Sequence, residues 1–222
     1  MVIVFSRLKD YVPSFTVHPN WQEVADMALN AANSFGAIDI NDLKAVKCFQ
    51  GFMKYASYAF PSVSIDKLID LTYYFSFYWL MDNYMDDKDD VSTEAIAKLS
   101  KATLHILERP LNEDGNDAQQ EWFGIVRAQY SILQKMKSTT PSFWFKRFMR
   151  IMKLYLNSCA TMYAIRIFDK PLDYDEYVEL RLWESGVYSV LTLYEYAFNI
   201  YLPDNIVNSD KFKRAIRLAN SH

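Results

Sequence analysis

The residues with the clearest capacity for chemistry lie between Tyr73 and Asp90, where an aromatic run (Tyr73-Tyr74-Phe75-Ser76-Phe77-Tyr78-Trp79) leads into Asp82, Asn83, Asp86, Asp87, Asp89 and Asp90. On a 3.6-residue period, Leu68, Thr72, Phe75, Trp79, Asp82 and Asp86 share one helix face. Two carboxylates at i and i+4 bring their Cβ atoms to about 6 Å. Like charges repel at that spacing, and a helix C-terminus disfavours negative charge. A divalent cation relieves both penalties. Magnesium takes one or two carboxylates together with substrate phosphate oxygens, which suits such a half-site. A calcium EF-hand does not fit: counting from Asp86, position 6 is Val91 instead of Gly and position 12 is Ala97 instead of Glu. The competing reading of Asp86–Asp90 is a solvated helix end and loop, as most charge runs are. Asp82, on the aromatic face, is not covered by that reading.

The elements that must position these groups read as helices. Asn20 caps a helix over 21–35 that ends at Gly36. A second runs over 40–60, with Asp39 or Asn41 near its start, and Pro61-Ser62-Val63-Ser64 breaks it. The aromatic helix covers 65–86. A fourth spans 91–108 behind Ser92 or Thr93, a loop runs from Pro110 to Asp117, and a fifth helix spans 118–137. Thr139-Thr140-Pro141 opens a sixth that reaches Phe168. Asp173, with Glu176 three residues on, gives a capping box for a seventh, which Gly186 interrupts and which resumes to Tyr201. Pro203–Asp210 reads as a loop and 211–222 as a last helix. No window alternates as a strand does, so the expected class is all-α, in one domain over 1–222.

Composition agrees. Five Gly and seven Pro in 222 residues are just under half the usual combined share of ~12%, which favours long helices over many tight turns. Aromatic residues make up 16% and need a place to pack. A net charge of −3 supplies no basic surface for nucleic acid or anionic lipid. Cys48 and Cys159 cannot form a disulfide framework. The longest apolar stretch, Leu71–Met81, is too short to span a bilayer, and the first residues do not form a signal peptide. The expected setting is cytoplasmic.

The segment Asp82-Asn83-Tyr84-Met85-Asp86-Asp87 resembles the aspartate-rich motif of microbial-type class I terpene synthases, in which an aromatic helix ends in Asp-Asp-x-x-Asp or a close variant. Asn83 departs from that pattern, at the second Asp. Tyr58-Ala59-Phe60-Pro61 and His18-Pro19 also have the family's look. The resemblance implies Mg2+ as cofactor, with Asp82, Asp86 and Asp87 as metal ligands and Asn83 beside the substrate. It further implies a small-molecule prenyl diphosphate, by family habit farnesyl diphosphate, ionised and cyclised with release of diphosphate.

A second stretch, Tyr177-Val178-Glu179-Leu180-Arg181-Leu182-Trp183-Glu184-Ser185-Gly186, resembles the family's Tyr-x-x-x-Arg segment followed by Gly. Arg181 matches the residue that senses diphosphate. Glu184, Ser185 and Gly186 fall at the break that aims backbone groups at the reacting carbon. Leu182 stands where a second Arg is common. Arg offers a rigid fork of donors for phosphate, and aromatic faces stabilise a carbocation without attacking it. Phe75, Trp79, Tyr188 and Tyr194 are the candidates for that wall. Plain readings stand beside these: an Arg181–Glu184 surface pair at i, i+3, and aromatics buried for area alone.

The family's second metal motif, Asn-Asp-x-x-Ser-x-x-x-Glu, has no counterpart here. By the family's spacing from Arg181 its first Asn falls just past His222, so the expected fold is a class I terpenoid synthase-like bundle without its C-terminal helices. This chain alone is expected to be weak or inactive in cyclisation. Two alternatives remain at this point: a non-catalytic helical binding protein, and a prenyl-chain elongating synthase, disfavoured because no second Asp-rich motif appears. Oligomeric state is not legible.

Overall fold

A computed structural model of the chain describes residues 16–86, 94, 97–98, 101 and 123–220. Among these residues all regular structure is helical and no strand occurs. The helices are α1 (Trp21–Ser34), α2 (Leu43–Ala59), α3 (Ile65–Asp86), α4 (Phe123–Thr139), α5 (Ser142–Ile167), α6 (Tyr174–Glu184), α7 (Val187–Phe198), α8 (Asp204–Val207) and α9 (Asp210–Asn220).

Local chemistry sets the ends. Gly36, at φ +71°, follows α1 in the left-handed region that Gly enters without penalty. Asn20 precedes α1 but does not cap it through its side chain; its amide donates to Glu23 at 3.3 Å instead. Asp42, and neither Asp39 nor Asn41, caps α2, accepting from the Lys44 and Ala45 N–H groups at 3.0 Å each. Asp39 is already engaged by Asn41, whose backbone and side-chain N–H groups both reach it at 2.9 Å. That turn delays the helix by three residues relative to the expected start. α7 stops at Asn199, φ 53°, short of Tyr201. The expected Pro203–Asp210 loop contains the turn α8, because buried Arg147 draws in both the Leu202 carbonyl and Asp204. Residues 94, 97–98 and 101 are helical. The rest of the expected 91–108 helix, the 110–117 loop and 118–122 lie outside the described residues.

α3 is the axis of the fold. It packs against α1, α2, α4 and α7, and Leu68, Leu71, Tyr74, Phe75, Phe77 and Met81 are all essentially fully buried. A one-faced stripe is therefore too narrow a description of this helix: it is buried on nearly every side, and removing one such Phe would cost about 3–5 kcal/mol. At the α1–α4 crossing, a Cβ on Gly124 would lie 2.7 Å from the Phe35 carbonyl oxygen and 2.8 Å from the Ala37 nitrogen; only Gly allows that approach. Buried Asp70 on α3 ties three helices together, accepting from Lys135 of α4 and, at 2.6 Å, from the Tyr196 hydroxyl of α7. His18 closes the near end, bonding the Val63 carbonyl at 3.1 Å in the α2–α3 turn.

Candidate active site

The last turns of α3 and the break between α6 and α7 face each other across a cavity of about 550 Å³. One end is polar, with Asp82, Arg181, Glu184 and Ser185. Phe75, Tyr78, Tyr155 and Gly186 line the waist, and Phe52, Tyr55, Tyr58 and Tyr194 the aromatic end. α7 leaves the break beside Tyr78 and reaches α2 at the other end, where the Tyr194 hydroxyl donates to the Ala59 carbonyl at 2.8 Å. The cavity thus has an axis, charged at one end and lined by rings at the other.

The break is built from its sequence. Asp173 and Glu176 form the expected capping box that starts α6: the Glu176 N–H donates to Asp173 at 2.8 Å and the Asp173 N–H to Glu176 at 3.2 Å. α6 ends at Glu184, and Gly186 turns the chain at φ +71°. A Cβ there would also sit 3.3 Å from the Tyr78 ring and 3.6 Å from the Tyr155 ring, so both backbone and space call for Gly. Ser185 Oγ donates to Asn220 Oδ1 at 2.5 Å, tying the break to α9. Arg181 pairs with Glu184 one turn on, and the two side chains are 44% and 21% exposed. The plain ion pair expected of these two residues is therefore present, and it faces the cavity.

Electrostatics place the charges together. Burial pushes the Tyr155 hydroxyl and the Cys159 thiol well above their ordinary values. The Asp82 and Glu184 charges add to the shift of Cys159 and Arg181 opposes it, while Asp82 also adds to that of Tyr155. Asp82, Glu184 and Arg181 act on one point of α5 although two of them sit on a different helix from the third.

Of the residues singled out in the sequence, Phe75, Asp82, Arg181, Glu184, Ser185, Gly186 and Tyr194 line the cavity. Trp79 does not. It packs edge-on against Phe49 of α2, centroids 5.2 Å apart, on the opposite flank of the Phe75–Asp82 line from Tyr78. Tyr188 stacks on Trp183 at 5.2 Å and lines a separate, smaller cavity. Asn83 is half-buried and is not among the lining residues. Asp86 is the last residue of α3, and Asp87 lies outside the described residues. Tyr78 and Tyr155 were missed. Tyr78 was detectable, since it sits one turn before Asp82; Tyr155 had no local signal.

The residues present fit magnesium. Asp82 offers hard carboxylate oxygens, is exposed and lines the cavity's polar end.

The family model described as "Terpene synthase family 2, C-terminal metal binding" matches residues 73–222. The chain belongs to terpene synthase family 2. That family is one of lyase-type enzymes with a metal-binding domain, and the matched span holds the whole polar end of the cavity. Within terpene synthases, 10-epi-cubebol synthase of Sorangium cellulosum (strain So ce56) is 19% identical over 211 residues, covering 94% of this chain and 65% of the relative. α-Eudesmol synthase shares the fold at a TM-score of 0.79 and 16% identity, covering 94% of this chain and 67% of that one. The SVS_A2 protein from ancestral sequence reconstruction does so at 0.77 and 18%, covering 92% and 62%. The linalool/nerolidol synthase of Streptomyces clavuligerus does so at 0.73 and 16%, covering 92% and 64%. This terpene synthase chain therefore spans about two-thirds of the length of these relatives. Among the described residues no helix is long and apolar enough to cross a membrane.

Proposed function

We propose that this chain carries the ionisation site of a magnesium-dependent terpene synthase, acting on a prenyl diphosphate and most fittingly on farnesyl diphosphate. The reading is supported above all by one observation: Asp82 and the Arg181–Gly186 segment, far apart in sequence, line the polar end of one cavity whose other end is aromatic. Asp82, with Asp86 and Asp87, would hold magnesium, which supplies positive charge to the departing diphosphate. Arg181 would exchange its Glu184 partner for a diphosphate oxygen, using the donor fork that suits phosphate. Asn83 adds a neutral amide beside the acidic set. Ser185 and Gly186 fix the break between sensor helix and cavity wall. The hydrocarbon would lie along the rings of Phe75, Tyr78, Tyr155 and Tyr194, which exclude water and stabilise positive charge through their faces. The ring-lined end holds the hydrocarbon against aromatic faces, which favours cyclisation.

One observation favours a non-catalytic binding protein of the same fold: Arg181 already has a partner in Glu184. Incubation with farnesyl diphosphate and magnesium separates the two. Weak diphosphate release by residues 1–222, lost on chelation and in Asp82→Ala, is expected. Release that survives both changes, or its absence together with absence of magnesium-dependent diphosphate binding, would overturn the enzymatic reading. Robust cyclic product from this chain would contradict the expectation that a second metal motif is needed.

A further inference from the structure

The carbonyl of Gly186 does not point free into the cavity. It accepts from the Val190 N–H at 3.1 Å and from Ser189 Oγ at 2.7 Å, which fills both of its lone pairs. Ser189 has a single hydroxyl proton, and that bond uses it. The contact between Ser189 Oγ and the Tyr78 hydroxyl must therefore be donated by Tyr78. The Tyr78 oxygen also lies 3.1 Å from the Tyr74 hydroxyl, which donates to Met152 Sδ. Proton counting thus gives one direction: Tyr78 to Ser189 to the Gly186 carbonyl. Tyr74 is 0% exposed, Ser189 1% and Tyr78 7%, so these hydroxyls depend mainly on one another and on Met152 for partners. Burial raises the Tyr78 pKa, and the phenol stays a donor throughout the neutral range.

Tyr78 also touches the break directly through its ring, at the position where any Cβ on residue 186 would press. It stands one helical turn before Asp82 on the same helix. The same side chain therefore measures the gap between the carboxylate wall and the Arg181–Gly186 wall.

We propose that Tyr78 is a positioning residue, whose hydroxyl acts through Ser189 on the Gly186 carbonyl to hold the α6–α7 break in register with the Asp82 turn of α3. The role in catalysis rests on the function proposed above; the clamp itself does not. Hydrogen-bond energetics give it an asymmetric signature. Ser189→Ala takes away the Tyr78 hydroxyl's acceptor and leaves it the weak Met152 thioether at 3.7 Å and the Tyr74 oxygen at 3.1 Å, whereas Tyr78→Phe leaves Ser189 still bonded to Gly186. Removing both partners leaves nothing stranded. The cost should therefore run Ser189→Ala above Tyr78→Phe, with the Tyr78→Phe/Ser189→Ala double variant no worse than Ser189→Ala alone.

The test uses the full chain and its four members: wild type, the two single variants and the double. Amide hydrogen exchange at Val187–Val190 should accelerate in Ser189→Ala by about two- to tenfold, the scale of one hydrogen bond, with exchange in α1 unchanged. Calorimetric titration with magnesium and inorganic diphosphate should show affinity falling by a similar factor in both single variants, at temperatures where each is fully folded. A purely structural role would lower the melting temperature and leave that affinity untouched. Additive losses in the double variant, or unchanged exchange at 187–190, would overturn the clamp. Faster exchange with wild-type affinity would overturn the positioning role. Absence of diphosphate binding by the wild type would instead count against the proposed function, and the exchange data would still decide the clamp.

Discussion

Two arginine–glutamate pairs occupy neighbouring regions of this molecule and do opposite things. Arg147 on α5 and Glu195 on α7 meet at 2.7 Å with side chains only 5% and 9% exposed. Further bonds hold the pair in place: Arg147 also reaches the Leu202 carbonyl at 3.0 Å and Asp204 at 2.9 Å, and Glu195 accepts the Leu202 N–H at 2.7 Å. Burial pushes the Glu195 carboxyl up, and the Leu202 N–H and Arg147 push it back. Arg181 and Glu184 lie on one helix, 44% and 21% exposed, at the mouth of the cavity. The first pair is closed and joins helices. The second is open, so its arginine can change partners at little cost. The same two residue types give a clamp in one place and a ligand-ready cation in the other, and burial decides which.

The largest effect that would sharpen this contrast is on stability. Arg147→Met strands a buried carboxylate and should cost about 3–5 kcal/mol in urea unfolding, while Arg181→Met should stay within about 1 kcal/mol. Equal losses would break the comparison. Function should run the other way: Arg181→Met and Asp82→Ala should each lower magnesium-dependent turnover by roughly a hundredfold or more, the scale of losing one preorganised charge contact.

A smaller effect comes from the buried tyrosines and Cys159. Burial raises the pKa values of Tyr74, Tyr78, Tyr155 and Tyr196 above the ordinary 10.0 and that of Cys159 above 9.0. The folded chain keeps these protons after the unfolded chain has released them. Their contribution is complete below the unfolded values and is lost as pH rises past them, by at most about 1.4 kcal/mol per pH unit per group. Melting temperature should therefore be flat near neutrality and fall steeply from about pH 9, less steeply in Tyr78→Phe; a flat profile to pH 11 would contradict the buried cluster. Smallest is the cap: Asp173→Ala should cost about 1 kcal/mol, measurable as a shift in urea midpoint.

What could be read in advance follows from how local each cause is. The bounds of α3, the capping box of α6 and the break at Gly186 were legible because their signals lie within a few residues of their effects. The Asp42 start of α2 was missed because Asp39 and Asn41 satisfy each other first, a competition composition does not display. α8 was missed because its cause is Arg147, on another helix. Asp82, Arg181 and Phe75, which spacing and resemblance single out, line the cavity. Trp79 was assigned to the cavity wall and packs on Phe49 instead, since a helix buried on nearly all sides has no single apolar face from which to choose. Tyr155 arrives from α5, and only the tertiary arrangement brings it there.

Asp82 and Arg181 are proposed to serve one anion-and-metal site. Isothermal titration of inorganic diphosphate into the full chain, with and without magnesium, tests it most directly. Binding should require magnesium in the wild type and be lost in Asp82→Ala and in Arg181→Met while both variants remain folded. Diphosphate binding that persists without magnesium, or that survives both substitutions, would contradict it.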